Sequence, residues 1–163
     1  MARNEEKISK KYIQRKVGMI FVTVGTTPFD SLIKAVNESG FQGEVIIQKA
    51  EGKYIPSNYE YFDFTSEIDR YYSKADLVVT HGGAGTIFKL LEKGKKIIAV
   101  ANDDRSDHHQ SDILERLSRD GYLIWCRDLA NISKCLEEAK NITPTKYLVS
   151  DCLIGADIIE KYS

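Results

Sequence analysis

Short apolar, β-branched runs alternate along this chain with stretches whose apolar residues recur at helical spacing. Met19-Ile-Phe-Val-Thr-Val24 reads as a buried strand, Val45 to Gln48 as a second, and Tyr59 to Phe64 as a third, aromatic one. Leu77 to Thr80, Ile97 to Val100 and Tyr122 to Cys126 continue the series. Between them, Asp30 to Ser39 sets Leu32, Ile33 and Val36 on one helix face and stops at Gly40. Gly52 to Asn58 reads as a loop, and Thr65 as the cap of a short helix through Tyr72 with Glu67 and Asp69 in its first turn. Helical spacing returns over Thr86 to Leu91, at Ile113, Leu114 and Leu117 as far as Gly121, and over Leu129 to Ala139 and Cys152 to Tyr162. This alternation predicts an α/β, Rossmann-like fold: a parallel sheet of about six strands with helices on both faces. It fills one domain, residues 19–163, behind an N-terminal extension, residues 1–18.

In such sheets ligands bind beyond the carboxyl ends of the strands. Three loops are expected at that edge: Gly25-Thr-Thr-Pro28, His81-Gly-Gly-Ala-Gly-Thr86, and Asn102 to Gln110. The second has the strongest chemistry, because a strand feeds a Gly-rich turn and then a helix start. Free backbone N–H groups and the positive end of the helix dipole suit a phosphate there. A tight turn alone would also account for Gly82, Gly83 and Gly85; Thr86 and His81, as extra donors, favour the phosphate. No G-x-G-x-x-G follows the first strand and no G-x-x-x-x-G-K-[ST] loop is present, which argues against a dinucleotide enzyme and a P-loop NTPase. The polar loop has two readings, a surface loop with Asp107 as helix N-cap, or a His-Gln pair gripping sugar hydroxyls. Asp103, Asp104, Asp107, His108 and His109 are too crowded for one metal site, and no second ligand cluster accompanies them.

Composition narrows the picture only a little. With 42% hydrophobic and 29% charged residues the chain is ordinary for a soluble globular protein, and a net charge of -1 gives no general pull toward nucleic acid. Cys126, Cys135 and Cys152 are scattered and odd in number, as in a reducing cytoplasm rather than a disulfide or zinc frame. No apolar run approaches the roughly 20 residues that span a bilayer, and no signal peptide is visible, so membrane association is expected through a surface or a partner. Residues 1–18 are basic, with Arg3, Lys7, Lys10, Lys11, Arg15 and Lys16 against Glu5 and Glu6. They read as a solvated tail or as an amphipathic segment that touches anionic lipid.

Ala75-Asp-Leu-Val-Val-Thr-His-Gly-Gly-Ala-Gly-Thr86, followed by a strand and Asp107-His-His-Gln110, resembles the donor-binding half of GT-B glycosyltransferases, of the family 28 C-terminal kind. Phe21-Val-Thr-Val-Gly-Thr-Thr-Pro-Phe29 narrows the resemblance to small catalytic subunits of two-protein transferases. These are the catalytic partner in the dolichol-pathway N-acetylglucosaminyltransferase and exopolysaccharide or capsule enzymes of the PssE type. The resemblance covers about Met19 to Tyr162. It implies a metal-independent, inverting hexosyltransferase that moves a sugar from a UDP-sugar to a lipid-linked saccharide in exopolysaccharide, capsule or glycolipid synthesis. In that picture Gly82, Gly83, Ala84, Gly85 and Thr86 receive the diphosphate, and His81 is catalytic as a stabiliser of the leaving group. His109 and Gln110 approach the sugar, and Gly25 and Thr26 line the opposite wall. The UDP-sugar is substrate and no cofactor is implied. The partner would be a membrane-anchored, acceptor-binding subunit that holds the chain at the cytoplasmic face of the membrane; nucleic acid is not a partner. Lys89 departs from the family, which has an acid there to hold ribose hydroxyls; lysine cannot accept those bonds, and Glu92 is the substitute in sequence. Two other readings stay open: a non-catalytic nucleotide-sugar-binding regulatory module, and a Rossmann-like epimerase, which the missing fingerprint disfavours.

Overall fold

The computed structural model describes residues 18–102 and 109–148, with only the backbone of His109. The basic extension, the helix expected over Cys152 to Tyr162 and the proposed Asp107 cap lie outside the described residues. Six strands form one sheet: β1 (Met19–Thr23), β2 (Glu44–Gln48), β3 (Glu60–Phe62), β4 (Leu77–His81), β5 (Lys96–Val100) and β6 (Ile124–Trp125). Their order is β3-β2-β1-β4-β5-β6, and every pairing is parallel. The helices are α1 (Asp30–Asn37), α2 (Ile68–Lys74), α3 (Ala84–Glu92), α4 (His109–Arg119) and α5 (Ile132–Asn141).

The central strands are apolar on both sides because helices cover both sides. Ile20, Val22, Ile47 and Val79 face α1 and α5, where Leu32, Ile33, Val36, Ile132 and Leu136 close the layer. Phe21, Val78, Ile97 and Ala99 face Tyr72 of α2, Ile87, Leu90 and Leu91 of α3, and Leu114 and Leu117 of α4. Each such aliphatic side chain contributes about 1.5–3 kcal/mol by leaving water. Cys126 and Cys135, expected to be scattered, meet in the first layer; the Cys135 thiol beside Cys126, together with burial, pushes the Cys126 pKa well up.

Several element boundaries differ from expectation, and the strand expected over Tyr122 to Cys126 keeps only Ile124–Trp125. The third strand shrinks to Glu60–Phe62, although Ala50 N–H still donates to the Asp63 carbonyl at 3.0 Å. Thr65 does not cap α2: Glu67 occupies the N-cap, and the Thr65 hydroxyl accepts from Glu67 N–H at 3.0 Å, closing a turn one step earlier. The helix expected from Leu129 starts as a 3₁₀ turn, Leu129–Asn131, because the Asp128 carboxylate accepts from Ala130 N–H at 2.9 Å.

Candidate functional site

At the carboxyl edge, the expected loops are fastened to one another. Gly25 leaves β1 with φ +68°, a left-handed conformation that glycine adopts without strain. A Cβ there would lie 2.9 Å from His81 Cε1, so the glycine rests on the imidazole. A Cβ on Gly83 would land on His81 Nε2, which places the ring between these two glycines. The Thr80 hydroxyl stands 3.2 Å from His81 Nδ1, fixing the ring from a third side. Gly82 is required by the next loop, since its Cβ would come within 2.9 Å of Gln110 Cβ and Oε1. Gln110 Oε1 accepts from Asn102 N–H at 2.9 Å, and Asn102 Nδ2 donates to the Pro28 carbonyl at 3.4 Å. Gly25–Pro28, His81–Thr86, Asn102 and Gln110 are therefore linked into one rim. Thr26 is exposed on it.

The helix behind this rim has an open start. Gly83 is the N-cap of α3 with extended backbone, and no side chain caps the helix. Ala84 is half-buried, while Gly85 is exposed and a Cβ on it would meet nothing. Gly82 and Gly83 are thus explained by neighbours, but Gly85 is not. Glycine in a first helical turn costs about 0.5–1 kcal/mol against alanine, so the chain keeps this corner bare at some expense. Thr86, half-buried, turns its hydroxyl toward the buried Tyr72 phenol, which Thr23 also approaches; burial raises the phenol's pKa.

Lys89 does not face this opening as a free cation. Its Nζ lies 2.6 Å from Asp69 Oδ1 and sits over the Tyr72 ring at 5.8 Å. That hydrogen bond holds the Asp69 carboxyl below its usual range and lifts Lys89 above its own. Glu92 closes the far end of α3, about 12 Å along the axis from Ala84 at 1.5 Å per residue. The carboxylate paired with Lys89 is Asp69, from the neighbouring helix α2. His109 opens α4, and its side chain lies outside the described residues, as do Asp103, Asp104, Asp107 and His108. Among the described residues no group of three or more His, Cys, Asp or Glu gathers as for a metal ion.

Sequence reasoning passed over Thr23, Gln48, Thr80 and Asp69. The first three are buried polar residues at the carboxyl ends of otherwise apolar strands, and that was the available signal. Gln48 matters most, because its amide binds the β1, β2 and β3 ends together.

A doubly wound parallel sheet with a bare helix start at its carboxyl edge defines a Rossmann-like α/β domain with the fold found in half of a GT-B glycosyltransferase. Residues 41–138 match the model of the glycosyltransferase family 28 C-terminal domain, and the chain belongs to that family. The human UDP-N-acetylglucosamine transferase subunit ALG13 is 35% identical over 138 residues, covering 76% of this chain and 12% of that protein. The chain thus spans about an eighth of that relative's length. An NMR solution structure of ALG13 superposes with a TM-score of 0.62 at 19% identity, covering 90% of this chain and 97% of the other. The crystal structure of Acinetobacter baumannii MurG gives 0.62 at 17% identity, over 83% of this chain and 44% of MurG. Both structural likenesses concern the fold.

Proposed function

We propose that this chain is the donor-binding, catalytic subunit of a heteromeric, inverting glycosyltransferase that uses UDP-N-acetylglucosamine. The observation that carries the reading is the uncapped start of α3, with Gly85 bare and exposed, set between His81 and Gln110. Family membership and the name of the human relative support the donor. In this reading the diphosphate lies on the α3 amides, whose dipole favours the charge released as the glycosidic bond to UDP breaks. His81, held from three sides, adds a donor to the leaving phosphate without reorganising. The acceptor hydroxyl attacks the anomeric carbon from the opposite face, which inverts it; a base must take the hydroxyl proton.

The base and the lipid-linked acceptor are assigned to a membrane-anchored partner, which would keep the enzyme at the cytoplasmic face. No helix among the described residues is long and apolar enough to cross a membrane. A relative named for N-acetylglucosamine transfer favours glycolipid synthesis over the exopolysaccharide and capsule routes. The reading is tested by thermal shift with UDP-N-acetylglucosamine, UDP-galactose, UDP-glucose, UDP-glucuronate and GDP-sugars. A ligand at 100 times its Kd stabilises the fold by about 2.7 kcal/mol, so UDP-N-acetylglucosamine should raise Tm most. Equal, negligible shifts across the panel would end the proposal. The regulatory-module alternative predicts binding with no transfer when the partner and acceptor are supplied.

A further inference from the structure

We infer that Gln48 is a positioning residue of the donor cleft, acting through Gly25 on His81. The inference rests on the reading of that cleft given above. Gln48 is 3% exposed, at the last position of β2. Its Oε1 accepts from the Thr23 hydroxyl at 2.6 Å and from Val24 N–H at 3.2 Å. Its Nε2 donates to the Gly25 carbonyl at 2.9 Å and to the Asp63 carbonyl at 2.8 Å. Both lone pairs and both protons are used, and the four partners come from the ends of β1 and β3. A valine or isoleucine would extend the core here at no desolvation cost, whereas a buried amide needs every partner it has.

What the amide secures is the Gly25 turn. Gly25 lies so close to the imidazole that its absent Cβ would sit 2.9 Å from His81 Cε1. Moving the Gly25 carbonyl therefore gives the ring room to rotate away from Gly83. Only a primary amide serves this junction: ionised glutamate lacks donors, lysine lacks acceptors, and methionine has no donor and only a weak sulfur acceptor. The charged groups around it are Lys49 and Asp63, paired with each other at 2.8 Å, and the His81 imidazole lies across Gly25.

Gln48→Glu tests this with a readout that pH controls. The introduced carboxylate, when ionised, still accepts from Thr23 and Val24 but turns a charged oxygen on two carbonyls; once protonated, it regains one donor. Calorimetric titration with uridine diphosphate is expressed relative to wild type at each pH, which removes the titration of the ligand. The ratio should show about tenfold or greater weakening near pH 8 and partial recovery near pH 5.5. A merely structural amide shifts Tm with pH and leaves that ratio flat. Gln48→Met supplies a ligand-free arm, in which the His81 imidazole Cε1–H resonance should move from its wild-type position. Should wild type bind no uridine diphosphate, the donor reading fails and the His81 resonance alone decides the role of Gln48. Should the Gln48 variants not fold, Thr23→Val, which frees the amide on one side, should shift the same resonance and weaken binding by about threefold. A flat affinity ratio, or a His81 resonance that stays in place, overturns the inference.

Discussion

The two edges of the sheet are built from the same strands and behave differently. At the amino edge, Leu77, Ile97, Leu123, Ile124, Ile142 and Pro144 surround an apolar cleft of about 160 Å³. At the carboxyl edge of the sheet, Thr23 ends β1, Gln48 ends β2, Thr80 stands one residue before the end of β4, and Asn102 follows two residues after β5, each buried and hydrogen-bonded. One edge spends its last residues on packing, the other on holding backbone in place. Stability and site geometry should therefore separate on substitution, and four variants rank that separation.

His81→Ala should have the largest effect. Transfer, assayed with the acceptor-binding subunit present, should fall by about 10² or more while Tm stays within a few degrees. An active His81→Ala enzyme would mean that the ring only fills space between Gly25 and Gly83. Leu123→Ala, at the opposite edge, should cost about 2 kcal/mol in urea unfolding and leave uridine diphosphate affinity unchanged. Gly85→Ala should invert the pattern. Alanine should raise stability by about 0.5–1 kcal/mol, because helix propensity rises and the position has open space, yet weaken uridine diphosphate binding by crowding the phosphate. If affinity holds, the bare corner has no ligand to admit.

Asp69→Asn should have the smallest effect, and its pH dependence carries the information. The folded pKa of Asp69 lies below the ordinary value, so its contribution is present above about pH 4 and fades as pH falls through the lowered pKa. Lys89 is raised, so the same pair is intact below about pH 10 and is lost as pH climbs through the folded value. The Tm difference between wild type and Asp69→Asn should therefore be greatest near neutrality, shrink at both extremes, and fade with added salt because the pair is exposed. A difference independent of pH would show that the carboxylate acts through shape alone.

Much of the scaffold was legible because its signals are local. Runs such as Leu77-Val-Val and Ile97-Ile-Ala-Val100 have no soluble use except as buried parallel strands, and Gly40 and Gly121 stop their helices with φ +72° and +80°. The gathering of Gly25, His81, Gly82 and Gln110 followed from topology, since every parallel strand delivers its loop to one edge. The partners of Gln48 were not legible. They are a hydroxyl, an amide and two carbonyls brought from 15 to 25 positions away, and nothing near Gln48 in sequence announces them. The same holds for Lys89, whose departure from the family was visible but whose pairing with Asp69 depends on how α2 meets α3. Thr65 was misread because a hydroxyl suited to capping a helix served equally to close a turn two residues earlier.

The central placement of β1 has a kinetic corollary. Its inner neighbour is β4, with Ile20 opposite Leu77, and the turn that β1 feeds is completed only by His81. During synthesis this strand emerges before the other five and waits, with one side unsatisfied, until β4 at Leu77–His81 has followed. All-parallel order of this kind gives high contact order and slow closure. Nascent chains halted before Leu77 should therefore present Met-Ile-Phe-Val-Thr to chaperones, and those extended past the fourth strand should bury it.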